Sequence, residues 1–131
     1  MRISLLVRIA ASLMGFVLIA SCATVQQKPT VLQPGEKTLV MKVDSFKFEP
    51  NDIKARQGDV LTINVENAAS MEHNLTIKTP KGDALVSVDI PAKSAVSIKV
   101  NLAETGTYHF YCDKPIHSTL GMKGEIEVTA P

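Results

Sequence analysis

From residue 38 onward, apolar residues recur at every second position, and no stretch carries a long helical period. Leu61, Ile63 and Val65 alternate with Thr62, Asn64 and Glu66. Val96, Ile98 and Val100 alternate with Ser97, Lys99 and Asn101, and Ile126 and Val128 with Glu125, Glu127 and Thr129. Phe46 and Phe48 flank Lys47, and Ile53 and Ala55 flank Lys54. Successive strand side chains point to opposite faces, so each run has one face to bury and one to expose. Turn-forming residues separate the runs: Glu49-Pro50-Asn51, Gln57-Gly58-Asp59, Thr79 to Asp83, Ile90-Pro91 and Thr105-Gly106. Seven to eight short strands at this spacing predict an all-β fold, an antiparallel sandwich. The chain has 131 residues, enough for one such domain, assigned here to residues 38–131.

The N-terminal third reads differently. Arg2 and Arg8 precede an apolar run, Ile9 to Ala20, that is short for a membrane span and ends in Leu18-Ile19-Ala20-Ser21-Cys22. Small residues before a cysteine resemble a bacterial lipoprotein signal. Residues 1–21 are accordingly expected to be removed and Cys22 to be lipidated. Residues 22–37 carry two prolines, a glycine and three glutamines, and have little to bury. They are expected to form a tether. This predicts an exported protein held to a lipid membrane through Cys22, on the periplasmic side of a bacterial membrane or the outer cell surface. Ala23 lacks the aspartate associated with inner-membrane retention in many enteric bacteria. Without the signal, Lys+Arg falls from 14 to 12 while Asp+Glu stays at 13, giving a formal charge of −1. Such a balance provides no basic field for nucleic acid.

There are two cysteines. If Cys22 carries lipid, Cys112 is a lone thiol in an oxidising compartment and needs protection. A Cys22–Cys112 disulfide is the alternative. Metal ligation is the other protection, and the neighbours of Cys112 favour it. His117 and Met122 follow within one loop, and His73 stands upstream on the apolar face of its run with Leu75 and Ile77. Two histidines, a thiolate and a weak thioether make the ligand set of a blue-copper electron-transfer site. Zinc also accepts a Cys-His-His set, and methionine is a poor fourth ligand for it. Parity puts Cys112 on the face of Tyr108 and Phe110, and turns His109 the other way.

These residues resemble the cupredoxins of the plastocyanin–azurin type. The resemblance rests on Phe46-Lys47-Phe48-Glu49-Pro50, Gly58-Asp59, Met71-Glu72-His73-Asn74-Leu75, and Gly106 through Cys112 to His117, Gly121-Met122 and Gly124, and spans nearly all of residues 38–129. The Cys-x4-His-x4-Met spacing is longer than the plastocyanin pattern between Cys and His. It looks closer to auracyanins and to membrane-tethered bacterial cupredoxins. The resemblance implies a Greek-key β-sandwich with one type 1 copper per chain, held by His73, Cys112, His117 and Met122. It further implies that Asn74 bridges to the cysteine loop, and that Asp113, where the family often has a hydroxyl residue, alters that bridge. Pro115 has no N–H to offer the sulfur.

The implied function is single-electron shuttling by a membrane-tethered monomer. Redox proteins would dock at an apolar patch around His117 (Pro115, Ile116, Leu120, Ala68, Ala69 and Met71), with Glu72, Asp113 and Lys114 as mixed charges at the rim. A copper carrier or storage lipoprotein is the alternative, and Met41 and Met71 form no methionine-rich run to favour it. An enzyme is not expected. Copper nitrite reductases and multicopper oxidases need further histidines, and this chain has three in all. A binuclear copper-A centre needs a second bridging cysteine.

Overall fold

The computed structural model describes residues 29–31 and 38–131. Residues 1–21, read as a signal, Cys22 and most of the segment read as a tether lie outside the described residues. Ten strands form two facing sheets. In chain order they are β1 (Thr30–Val31), β2 (Thr38–Asp44), β3 (Lys47–Glu49), β4 (Asp52–Arg56) and β5 (Val60–Asn67), then β6 (His73–Lys78), β7 (Ala84–Ile90), β8 (Ala95–Asn101), β9 (Gly106–Tyr111) and β10 (Lys123–Thr129). The six-stranded sheet runs β1-β4-β10-β9-β6-β7, and the four-stranded sheet β3-β2-β5-β8. Among the described residues no helix is long and apolar enough to cross a membrane.

The alternating runs do what their period dictates. Leu61, Ile63 and Val65 of β5 are fully buried and face inward. So do Ile98 and Val100 of β8, Tyr108 and Phe110 of β9, and Ile126 and Val128 of β10. Phe48 and Phe110 meet edge to face across the core, their centroids 5.5 Å apart. Each fully buried Leu, Ile or Phe contributes roughly 1.5–3 kcal/mol through apolar area removed from water. Gly124 lets Phe110 into that core. A Cβ at Gly124 would lie 2.4 Å from the Phe110 ring and 2.3 Å from the Asn51 carbonyl oxygen.

Two expectations are corrected. The sheets are mixed, not purely antiparallel: β1 pairs with β4, β10 with β4, and β2 with β5 in parallel. The chain passes from one sheet to the other between β3 and β4 and again between β4 and β5, so β2 and β5 meet as neighbours through a crossover rather than a hairpin. Among the described residues the strand count is ten, above the seven to eight expected. Thr30–Val31, in the segment read as a tether, pairs with Ile53 and Lys54 at the sheet edge. The edge strand β7 exposes Leu85, Ser87 and Asp89 on one face, and on the other packs Val86, Val88 and the fully buried Ile90 against the core.

Candidate metal centre

One end of the sandwich gathers the soft donors. His73 is the first residue of β6, and Cys112 follows the last residue of β9. The short β6–β9 pairing, Thr76 with Tyr111 and Ile77 with Phe110, sets these two strand ends side by side. His117 lies in the turn between β9 and β10, whose backbone bonds close on themselves. His117 N–H donates to Lys114 O (3.2 Å), Leu120 N–H to Ile116 O (3.0 Å), Gly121 N–H to Ser118 O (3.1 Å) and Met122 N–H to His117 O (3.0 Å). Cys112 N–H donates to Met122 O at 3.1 Å and closes the loop at its base.

The donor atoms of His73, Cys112 and His117 all lie within 4.8 Å of one another. Cys112 Sγ is 3.4 Å from His117 Nδ1, and the two imidazole rings are 5.1 Å apart. His73 and Cys112 are fully buried, and His117 is half-buried. Both ring nitrogens of His73 are buried with no hydrogen-bond partner. A buried polar group without a partner is costly, so this imidazole is set up for a ligand rather than for the protein. Burial, then the charge of His117, push the His73 imidazole below its ordinary pKa, against an opposing pull from Asp44. Neutral imidazole is the form that binds metal. The Asn74 backbone N–H donates to Cys112 Sγ (3.3 Å).

His117 is held from a third side. Phe46, in the β2–β3 turn, packs edge-on against its ring at 4.9 Å and 83°. Phe46 has φ of 66°, and Ile116, next to His117, has φ of 62°. Bulky side chains rarely adopt this left-handed region, and such strain, of order 1–3 kcal/mol each, tends to cluster at functional sites.

The structure brings His73, Cys112 and His117 together and buries Met122 completely beside them in sequence. His109 is exposed, as its parity predicts. Asn74 is 3% exposed, although its parity puts it on the outward face. Its neighbours cover it: Thr76 Oγ1 donates to Asn74 Oδ1 (2.7 Å), and Asn74 Nδ2 donates to Asp89 Oδ1 (3.2 Å) and Ser87 Oγ (3.3 Å). The Asn74 side chain therefore bonds across to β7, and its backbone reaches the sulfur. Asp113 is exposed, and no side-chain hydrogen bond joins it to β6 among the described residues. Glu72 and Lys114, expected as mixed charges at the rim, pair with each other at 2.7 Å.

Sequence reasoning passed over Asn67. It is 3% exposed at the end of β5. Its Nδ2 donates to the carbonyls of Met71 (2.9 Å), Ile90 (3.1 Å) and Pro91 (3.0 Å), and its Oδ1 accepts from Ala69 N–H (2.9 Å). It thereby fixes the segment that leads into His73. The signal was present: Asn67 continues the inward parity of Leu61, Ile63 and Val65 with a polar side chain.

Comparison with known proteins agrees with this geometry. The family described as copper binding proteins, plastocyanin/azurin family, matches residues 35–129. A plastocyanin from Daucus carota is 34% identical over 88 residues, covering 63% of this chain and 87% of the relative. Two solved structures share the fold. One is a dithionite-reduced auracyanin from Roseiflexus castenholzii, with a TM-score of 0.64 and 18% identity over 72% of this chain and 98% of that one. The other is auracyanin A from Chloroflexus aurantiacus, with a TM-score of 0.63 and 17% identity over 70% and 98%. A clustered cysteine sulfur and two imidazoles, one with both nitrogens orphaned, fit a single type 1 copper. The chain is a cupredoxin, a member of the plastocyanin/azurin family of copper-binding proteins.

Proposed function

We propose that this protein is a membrane-tethered type 1 copper protein that shuttles single electrons between redox partners. The observation that carries the reading is the orphaned, fully buried His73 imidazole facing Cys112 Sγ and His117 Nδ1. His73, Cys112 and His117 are the equatorial ligands in this reading, and Met122 the weak axial one. Full burial of Met122, and its backbone bonds to both His117 and Cys112, support that assignment. Copper bound there would supply one-electron chemistry between Cu(I) and Cu(II). His73 and Cys112 project from strand ends of a packed sandwich, so their spacing changes little with the charge of the site. Small reorganisation keeps the barrier to electron transfer low.

Half-buried His117 is the electron port. Ile116 (68% exposed) and Leu120 (54%), near it in sequence, and Met71 (43%), two residues before His73, supply apolar surface, a composition suited to brief docking of redox proteins. Lipidated Cys22 would tether a monomeric domain on the periplasmic side of a bacterial membrane or at the outer cell surface. The context Leu18-Ile19-Ala20-Ser21-Cys22 supports that placement.

Adding Cu(II) to the purified protein tests the site. An intense visible thiolate-to-copper band that disappears in Cys112→Ala is expected. A colourless complex, or a band that survives the substitution, sinks the reading. A reversible one-electron potential with slow copper exchange favours electron transfer, whereas rapid passage of Cu(I) to an acceptor favours a copper carrier. For the tether, Cys22→Ser should move the protein from the membrane to the soluble fraction.

A further inference from the structure

The loop bearing Cys112, His117 and Met122 is bonded mainly to itself, so something must hold it against the strand that carries His73. Lys114 is placed to do so. Its ammonium pairs with Glu72 Oε1 at 2.7 Å and Asp89 Oδ1 at 3.0 Å. Glu72 directly precedes His73, and Asp89 lies on β7 opposite Asn74 in the β6–β7 register. Asp89 Oδ1 also accepts from Asn74 Nδ2, and the Asn74 backbone N–H donates to Cys112 Sγ. One side chain from the loop thus ties together both residues that flank His73 and, through Asn74, returns to the thiolate two residues before it.

Three features set this apart from an ordinary surface ion pair. One ammonium serves two carboxylates from separate segments. The Lys114 side chain is only 28% exposed, less than either partner. Asp113, expected to alter the family's usual bridge, is exposed to solvent and leaves the link to Lys114. Pairing with Glu72 first and Asp89 second raises the Lys114 ammonium above its ordinary pKa, and Lys114 first, then Asn74, hold Asp89 below its own.

We propose that Lys114 is a positioning residue that pins the Cys112–Met122 loop to β6 and β7 and thereby fixes the spacing of the three donors. The consequence for metal affinity rests on the copper reading above; the consequence for loop order does not. Both carboxylates reach solvent, and pairs open to water add little to global stability, so loss of the pin should act locally.

The purified full chain is tested as wild type, Lys114→Met and Lys114→Arg. In the metal-free protein, hydrogen exchange of the Asn74 amide and of the amides from 112 to 122 should speed up in Lys114→Met. Core amides in β5 and β10 should keep their protection. With copper added, chelator competition should give roughly tenfold weaker Cu(I) binding, the low end for groups that support metal ligands. Lys114→Arg should restore both properties. Unchanged exchange at Asn74 and in the loop overturns the proposal. So does protection lost evenly across the core, which marks general destabilisation, and so does failure of the arginine variant to rescue. A wild-type chain that binds no copper overturns the copper reading, and the metal-free exchange still decides the pin.

Discussion

Asn67 offers the sharpest test of how the sandwich positions its donors. Replacing it with leucine keeps the volume close and deletes every polar contact. The Ile90 carbonyl bond is buried, and the bonds to Met71, Pro91 and Ala69 are half-buried. Leaving one buried carbonyl unpaired costs about 1–3 kcal/mol, and each half-buried bond, for which water partly substitutes, about 0.5–1 kcal/mol. The expected loss is about 2.5–6 kcal/mol, a large share of a small domain's stability. Urea unfolding of the metal-free protein measures it: with an m-value of roughly 1–3 kcal/mol per molar, the midpoint falls by at least about 1 M. Ser97→Ala, which removes the exposed bond from Ser97 Oγ to Asn64 Oδ1, is the control and should stay within about 0.5 kcal/mol. A loss below about 1 kcal/mol in Asn67→Leu at unchanged m-value would refute the view that these bonds anchor the approach to His73.

Gly124→Ala should destabilise the metal-free protein by about 1–3 kcal/mol in the same assay, because the new methyl meets the Phe110 ring and the Asn51 carbonyl; a neutral result would mean that both yield freely. His109→Ala should leave the visible copper band intact and stability within about 0.5 kcal/mol, and loss of the band would place His109 in the site after all. Asp89 is held below its ordinary carboxylate value, first by Lys114 and then by Asn74. A lowered pKa in the folded state stabilises above the unfolded value of 3.8, and that contribution is lost as pH falls through the folded value. A small melting-temperature gap between wild type and Asp89→Asn is therefore expected near neutral pH, narrowing as pH falls below 3.8. A gap that persists in acid would contradict the assignment.

Much of the site was legible because residue type and parity are local properties. Cys112, His117 and Met122 stand in one loop, and parity separated Cys112 from His109 and put His73 with Leu75 and Ile77. Parity failed at Asn74, because β7 covers the outward face of β6 with Ser87 and Asp89. It said nothing of Phe46, which reaches the ring of His117 from a turn some seventy residues away in sequence. The sequence placed Glu72 and Lys114 as mixed charges at the rim without showing that they pair at 2.7 Å.

The sequence by itself determined that this chain builds a two-layer β fold and carries soft metal donors on its inward faces. Alternation fixes which side of a strand a residue takes, and donor chemistry belongs to the side chain. Tertiary structure alone decided which strands run in parallel, that Asn67 anchors the approach to His73, and that Lys114 reaches both Glu72 and Asp89. Those outcomes depend on which distant segments become neighbours. A period-two pattern records the face a side chain takes, and the identity of its partner is set only when the chain has crossed between sheets and packed.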